Sequence, residues 1–159
     1  MPSSRRQATL FLGENSSVEA IRNRFNPAQA ALIAAHVTLC REDEVTDWKE
    51  FSKQCYELKP FVLELDFGSP VRDGNLVYLP CVGGIGDFDD LRRTLLGPSA
   101  RKHNAHITLM HPRNSVCNDS IFDEICSSLN PFAHRFLSIG LIRQENGGVW
   151  ETLETIELI

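Results

Sequence analysis

The sequence predicts an α+β fold in which two similar lobes of antiparallel sheet and helix flank a central cleft. Three observations carry that expectation. The tetrapeptide HVTL at 36–39 returns as HITL at 106–109. The periodic segments that follow each copy come in the same order. No low-complexity run, charge block or long Pro/Gly/Ser linker divides the chain, so residues 1–159 read as a single bilobal domain.

The elements are justified in chain order. QATLFLG (7–13) is a short apolar run of strand character. SSVEAIRNRF (16–25) reads as a helix: Ser16 and Glu19 form a capping-box pattern, and Val18, Ile21 and Phe25 fall at helical spacing. NPAQ (26–29) breaks it, and ALIAAHVTLC (31–40) becomes strand-like toward its end. TDWKEFSKQCYELK (46–59) is helical, with Thr46 as cap and Trp48, Phe51, Cys55 and Leu58 as its apolar stripe. PFVLELDFG (60–68) alternates as strands do, RDGN (72–75) turns, and NLVYLPCV (75–82) pairs back. After GGIGD (83–87), the segment 88–97 is a helix closed by Gly97. HNAHITLM (103–110) is a strand and 118–130 a helix capped by Asn118 or Asp119. HRFLSIGLI (134–142) and VWETLETIELI (149–159) make a second hairpin around ENGG. Each HxTL strand thus follows a helix and precedes a helix and two strands, a repeat that sets the two strands side by side across a pseudo-twofold axis.

Composition bounds the function. Hydrophobic content of 42 % and charged content of 23 % are ordinary for a globular chain. No apolar run reaches the ~18 residues of a membrane span, and ATLFLG is shorter than the ~7–15-residue core of a secretory signal. Five scattered cysteines without a CxxC pair suggest neither a disulfide framework nor a zinc knuckle. A cytoplasmic protein is expected. A net charge of −5 argues against a grip on long nucleic acid and toward a mononucleotide or a short RNA end.

The chemistry follows from the motif. On a strand, residues i and i+2 share a face, so His36 and Thr38 point one way and Val37 and Leu39 the other. His106 and Thr108 do the same, with Ile107 and Leu109 behind them. Two imidazoles on either side of one phosphorus suit phosphoryl transfer without a metal or cofactor. A neutral ring takes a proton from the attacking hydroxyl or water; a protonated ring gives one to the leaving alkoxide. Threonine hydroxyls hold the non-bridging oxygens. A single HxTL is expected by chance at roughly 0.02 per chain, which makes two at matching places in a repeat informative.

At these residues the chain resembles the two-histidine (2H) phosphoesterase superfamily, whose pattern is two H-x-[T/S]-hydrophobic motifs about 70–80 residues apart. The resemblance covers nearly the whole chain. It implies a bilobal fold with the cleft between lobes, His36 and His106 as the acid/base pair in either assignment, and Thr38 and Thr108 as phosphate holders. Many relatives carry proline before each motif histidine, where this chain has Ala35 and Ala105. Many carry a basic residue five positions after a motif histidine. Arg41 fits after the first; His111 stands at that place after the second, with Arg113 two further on. The activity implied is hydrolysis of a 2′,3′-cyclic phosphate or a 2′-5′-linked diester of a nucleotide or RNA end. Ligation in the same cleft, or nucleotide binding without turnover, remains open.

Other candidates weigh less. His103, His106 and His111 suggest a metal only superficially, because i and i+3 on a strand face opposite ways and no Cys, Asp or Glu completes a set. Cys40 shares the His36 face by alternation but has no nucleophile partners. Tyr78 is placed to face the cleft and stack on a base. GGIGD reads as a turn before a phosphate cradle, and His134 as a surface residue.

Overall fold

A computed structural model describes residues 3–13 and 15–159. In chain order it contains β1 (Ser4–Phe11), α1 (Ser16–Phe25), α2 (Pro27–Leu32), β2 (His36–Cys40), a 3-10 turn (Glu42–Glu44), α3 (Trp48–Tyr56), β3 (Leu63–Phe67), β4 (Val71–Asp73) and β5 (Leu76–Gly83). There follow α4 (Ile85–Leu96), β6 (His106–Met110), α5 (Asp119–Ser128), β7 (Phe132–Phe136), β8 (Ser138–Glu145) and β9 (Glu151–Glu157). The α+β class is as expected.

All strand pairs are antiparallel and run in the order β7-β3-β5-β6-β2-β1-β8-β9, with β4 on β5. The two HxTL strands, β2 and β6, are neighbours at the centre, as the repeat predicts. Around them the sheet divides into a β2-β1-β8-β9 half and a β6-β5-β3-β7 half. The chain exchanges strands between halves. β3 follows β2 in sequence but lies beside β5, and β8 follows β6 but lies beside β1. Residues alternating inward along these strands, with Phe88 of α4, fill one continuous core, from Leu10, Val37 and Leu39 through Ile107 and Leu109 to Phe67 and Phe136.

Several local expectations are corrected. The cap of α1 is Asn15, whose Oδ1 accepts from Val18 N at 3.2 Å; the side chain of Ser16 lies outside the described residues. Glu19 turns away from the helix end toward Ala35. Asp47, not Thr46, caps α3, its Oδ1 accepting from Lys49 and Glu50. NPAQ does not only break a helix: Pro27 opens α2, where its missing N–H costs nothing. The segment 134–142 is two strands. β7 ends at Phe136 and β8 begins at Ser138, so only β8 and β9 form the hairpin, and Trp150 precedes β9. α4 starts at Ile85, three residues before the expected position, because Gly84 at φ 79° caps it. A Cβ there would meet the Glu64 carbonyl oxygen at 2.2 Å, so the position needs glycine both for its backbone and for its space.

Candidate active site

The register of the central pair sets the geometry. Val37 pairs with Ile107, so His36 stands across from Thr108 and Thr38 across from His106. One face carries the quartet, half-buried; the other carries Val37, Leu39, Ile107 and Leu109, each at most 1 % exposed. The flanks repeat the symmetry. β1 places Phe11 against His36, edge to face at 6.1 Å, and β5 places Tyr78 against His106 at 5.7 Å. Aromatic walls thus limit the swing of both rings.

Both imidazoles are set by backbone carbonyls. His36 Nδ1 lies 2.8 Å from Ala34 O, and His106 Nδ1 lies 2.9 Å from Asn104 O. A carbonyl only accepts, so Nδ1 carries the hydrogen in each ring and Nε2 is left for the cleft. Desolvation pushes the pKa of His36 down to about 4; the Ala34 carbonyl pulls the other way, and smaller repulsions from Arg22 and His106 add to the fall. His36 is therefore neutral at pH 7. Thr38 Oγ accepts from Gln7 Nε2 at 3.1 Å, which leaves its own proton to donate.

These residues line one cavity of about 560 Å³. It holds His36, Thr38, Arg41, His106, Thr108, His111 and Arg113, seven of the eight residues singled out from sequence. Arg5, Arg6, Arg22 and Trp150 complete a cationic wall against Glu42 and Asp43. Arg41 and Arg113 are exposed and make no ion pair among the described residues. In a chain of net charge −5 the lining of this cleft is locally rich in arginine. His111 accepts from Arg113 N at its Nδ1 (3.1 Å), so its Nε2 is the donor. Desolvation, then Arg113 and Arg5, lowers its pKa, which makes it a neutral donor and not a third charge.

Tyr78, paired with Thr108, lines an adjoining cavity of about 490 Å³ that shares Arg41, Leu76 and His106 with the main cleft. His103 departs from expectation. It sits in the coil before β6, outside strand alternation, and its ring comes within 6.2 Å of that of His106. Cys40 does not face the cleft: the alternation of β2 fails at its end, the residue is fully buried, and desolvation drives its thiol far up. Among the described residues no group of three or more His, Cys, Asp or Glu is placed to hold a metal ion. No described helix is long and apolar enough to cross a membrane.

Sequence reasoning missed Gln7, the Glu19–Arg22 pair and Asn26. Asn26, 1 % exposed, accepts from His111 N at 2.7 Å and donates to Asn114 at 2.8 Å, tying the helical layer to the loop after β6. One signal was available in sequence: an arginine fourteen residues before each motif histidine, Arg22 and Arg92.

The fold as a whole, an antiparallel sheet packed with helices, is one that solved structures of low sequence identity share. The chain is similar in structure to E. coli LigT in its apo form, with TM-score 0.61 and 16 % identity over 99 % of this chain and 98 % of that one. LigT complexed with 3′-AMP gives TM-score 0.59 at 16 % identity, covering 99 % of both chains. A structure described as a phosphoesterase gives 0.60 at 14 % identity, covering 98 % of each. LigT has also been solved with NADP+, phosphate and ATP. No family model and no curated protein matches the sequence.

Proposed function

We propose that the chain is a 2H-type phosphodiesterase that opens 2′,3′-cyclic phosphates, or cleaves 2′-5′-linked diesters, on nucleotides or short RNA ends. The observation that carries this reading is the pairing of Val37 with Ile107, which sets two imidazoles and two threonines on one face inside a cationic cleft. The fold it resembles accommodates 3′-AMP, ATP and NADP+ in E. coli LigT, which favours a nucleotide ligand.

In the proposed reaction, Thr38 and Thr108 donate to the non-bridging oxygens, Arg41 and Arg113 balance the remaining charge of the ligand, and neutral His111 adds a further donor. Neutral His36 takes a proton from water through Nε2 as the water oxygen bonds to phosphorus. His106, protonated, gives its proton to the ribose oxygen as the bridging P–O bond breaks. The product is a monoester, and proton exchange with solvent restores both rings. A ribose hydroxyl in place of water would give transfer and the ligase direction. The donor set needs no metal for these steps. Tyr78, beside His106, offers an aromatic face to a base in the adjoining cavity.

Incubation with 2′,3′-cyclic nucleotides in EDTA, with products resolved by chromatography, tests the proposal. His36→Ala and His106→Ala are each expected to lower kcat by about 10²–10⁴, the usual worth of general acid or base catalysis. Tight nucleotide binding with no product would favour a binding module instead.

A further inference from the structure

The carbonyl that orients His36 belongs to a segment held at both ends by one ion pair, whose arginine is buried and whose carboxylate is partly exposed. Arg22, 3 % exposed, donates through Nη2 to Ile33 O at 2.7 Å. Its other terminal nitrogen bonds Glu19 at 3.1 Å. Glu19 Oε1 accepts from Ala35 N at 2.5 Å. Ile33 and Ala35 flank Ala34, whose carbonyl receives the His36 ring. The pair therefore grips the residues on both sides of the one that sets the imidazole. The backbone groups they bond belong neither to the sheet ladder nor to helix α1, so a buried arginine and its partly exposed carboxylate partner serve this single turn.

The second half offers the comparison. Arg92 occupies the same offset before His106, is 2 % exposed, and donates to Arg101 O at 2.9 Å and Leu39 O at 2.6 Å. It acts three residues upstream of Asn104, and its carboxylate partner Glu44 comes from the other half of the chain. The twin arginines are alike in place, but only the first closes directly around the carbonyl that holds its histidine.

We propose that Glu19 and Arg22 are the positioning residues of His36, holding the Ile33–Ala35 turn so that Nδ1–H is fixed on Ala34 and Nε2 faces the cleft. This rests on the phosphodiesterase reading for its consequence in rate, though not for its geometry. The charged and titratable groups around the ring are Glu19 and Arg22 of α1 and His106 of β6. Farther along the cleft stand Arg5 and Arg6 of β1, Arg41, Glu42 and Asp43 after β2, and His111 and Arg113 after β6.

The test combines imidazole nitrogen NMR with steady-state kinetics on a 2′,3′-cyclic nucleotide, using the full chain. The wild type should show His36 as the Nδ1–H tautomer. Arg22→Met and Glu19→Ala should mix the tautomers and lower kcat by about 10- to 100-fold, the scale of a misplaced group, with KM nearly unchanged in Glu19→Ala, whereas Arg22 also lines the cleft. Glu19→Gln keeps an oxygen for Ala35 N–H and should retain the tautomer and most of the rate. If Arg22→Met does not fold, Arg22→Lys, which keeps a charge but cannot span both partners, should give a smaller shift in the same direction. Folded variants with the wild-type tautomer and wild-type kcat overturn the proposal, as does a wild type without a fixed tautomer. A wild type with the fixed tautomer and no turnover overturns only the enzyme reading.

Discussion

Thr38 shows how much one hydroxyl depends on its neighbours. Gln7 donates to its oxygen and also to Thr9 at 2.7 Å, so the hydroxyl proton of Thr38 has one useful direction, into the cleft. A hydrogen bond to a charged group is worth about 1.5–3 kcal/mol, so Thr38→Val should lower kcat/KM by about 10- to 100-fold. Gln7→Leu frees the hydroxyl to rotate and should lower it less, to an extent read in the same assay; an unchanged rate in Thr38→Val would remove that hydroxyl from the reaction. The four HxT residues were legible because two apolar anchors and an i, i+2 spacing declare a shared face. Gln7, Glu19 and Asn26 were not. Gln7 meets Thr38 from thirty-one residues away and Asn26 meets His111 from eighty-five, and no local periodicity encodes such contacts. His103 was misread because strand alternation was extended three residues before the strand begins.

Among the elements, α4 is tied to the first motif strand by Arg92, which reaches Leu39 O and pairs with Glu44 at 2.5 Å. Their side chains are 2 % and 6 % exposed. Burial pushes the Glu44 carboxyl up, but hydrogen bonds from Arg92 and Arg41 N–H, and the charges of Arg92 and Arg101, outweigh it and hold the pKa below 4.5. A carboxyl depressed on folding stabilises the protein above its unfolded pKa, and this is lost as pH falls through the folded value. Arg92→Met takes away the buried partner of Glu44, leaving it only the half-exposed Arg101 at 3.2 Å and the Arg41 N–H, and should cost up to about 3–5 kcal/mol in denaturant unfolding at pH 7. The deficit should shrink below pH 4.5; a constant deficit would point to lost packing alone. Helices α1, α3, α4 and α5 were readable as elements, but of their caps only Asn118 of α5 and Gly97 of α4 stand where expected. The division of 134–142 was not, since Phe136 and Ile139 are both buried and only the exposed Leu137 stands between the end of β7 and the start of β8. Periodicity tells which face of a strand is inward and does not tell which strand lies beside it.

For the whole molecule, two histidines oppose acid. Desolvation lowers His36 and His103 to about 4, from an unfolded value of 6.5. The unfolded chain takes up these protons first, so stability should decline as pH falls from 6.5 toward 4. Thermal melts across that window should show the decline, and His103→Gln should flatten it; an unchanged slope would place the loss elsewhere. We propose that residues 1–159 are one folding unit, because β3 and β8 each complete the half of the sheet opposite to the motif strand they follow. Fragments 1–74 and 75–159 should each lack native chemical-shift dispersion alone and recover it when mixed. Independent folding of either fragment would defeat this.

That exchange of strands has a consequence for biosynthesis. By Met110 a ribosome has already made both histidines and both threonines, yet β1 still has no outer neighbour until β8 emerges some thirty residues later. The nascent chain thus carries a complete set of reactive side chains with no scaffold to aim them. Competence should arrive in a single late step, and translation halted before Glu145 should yield material fit only for degradation.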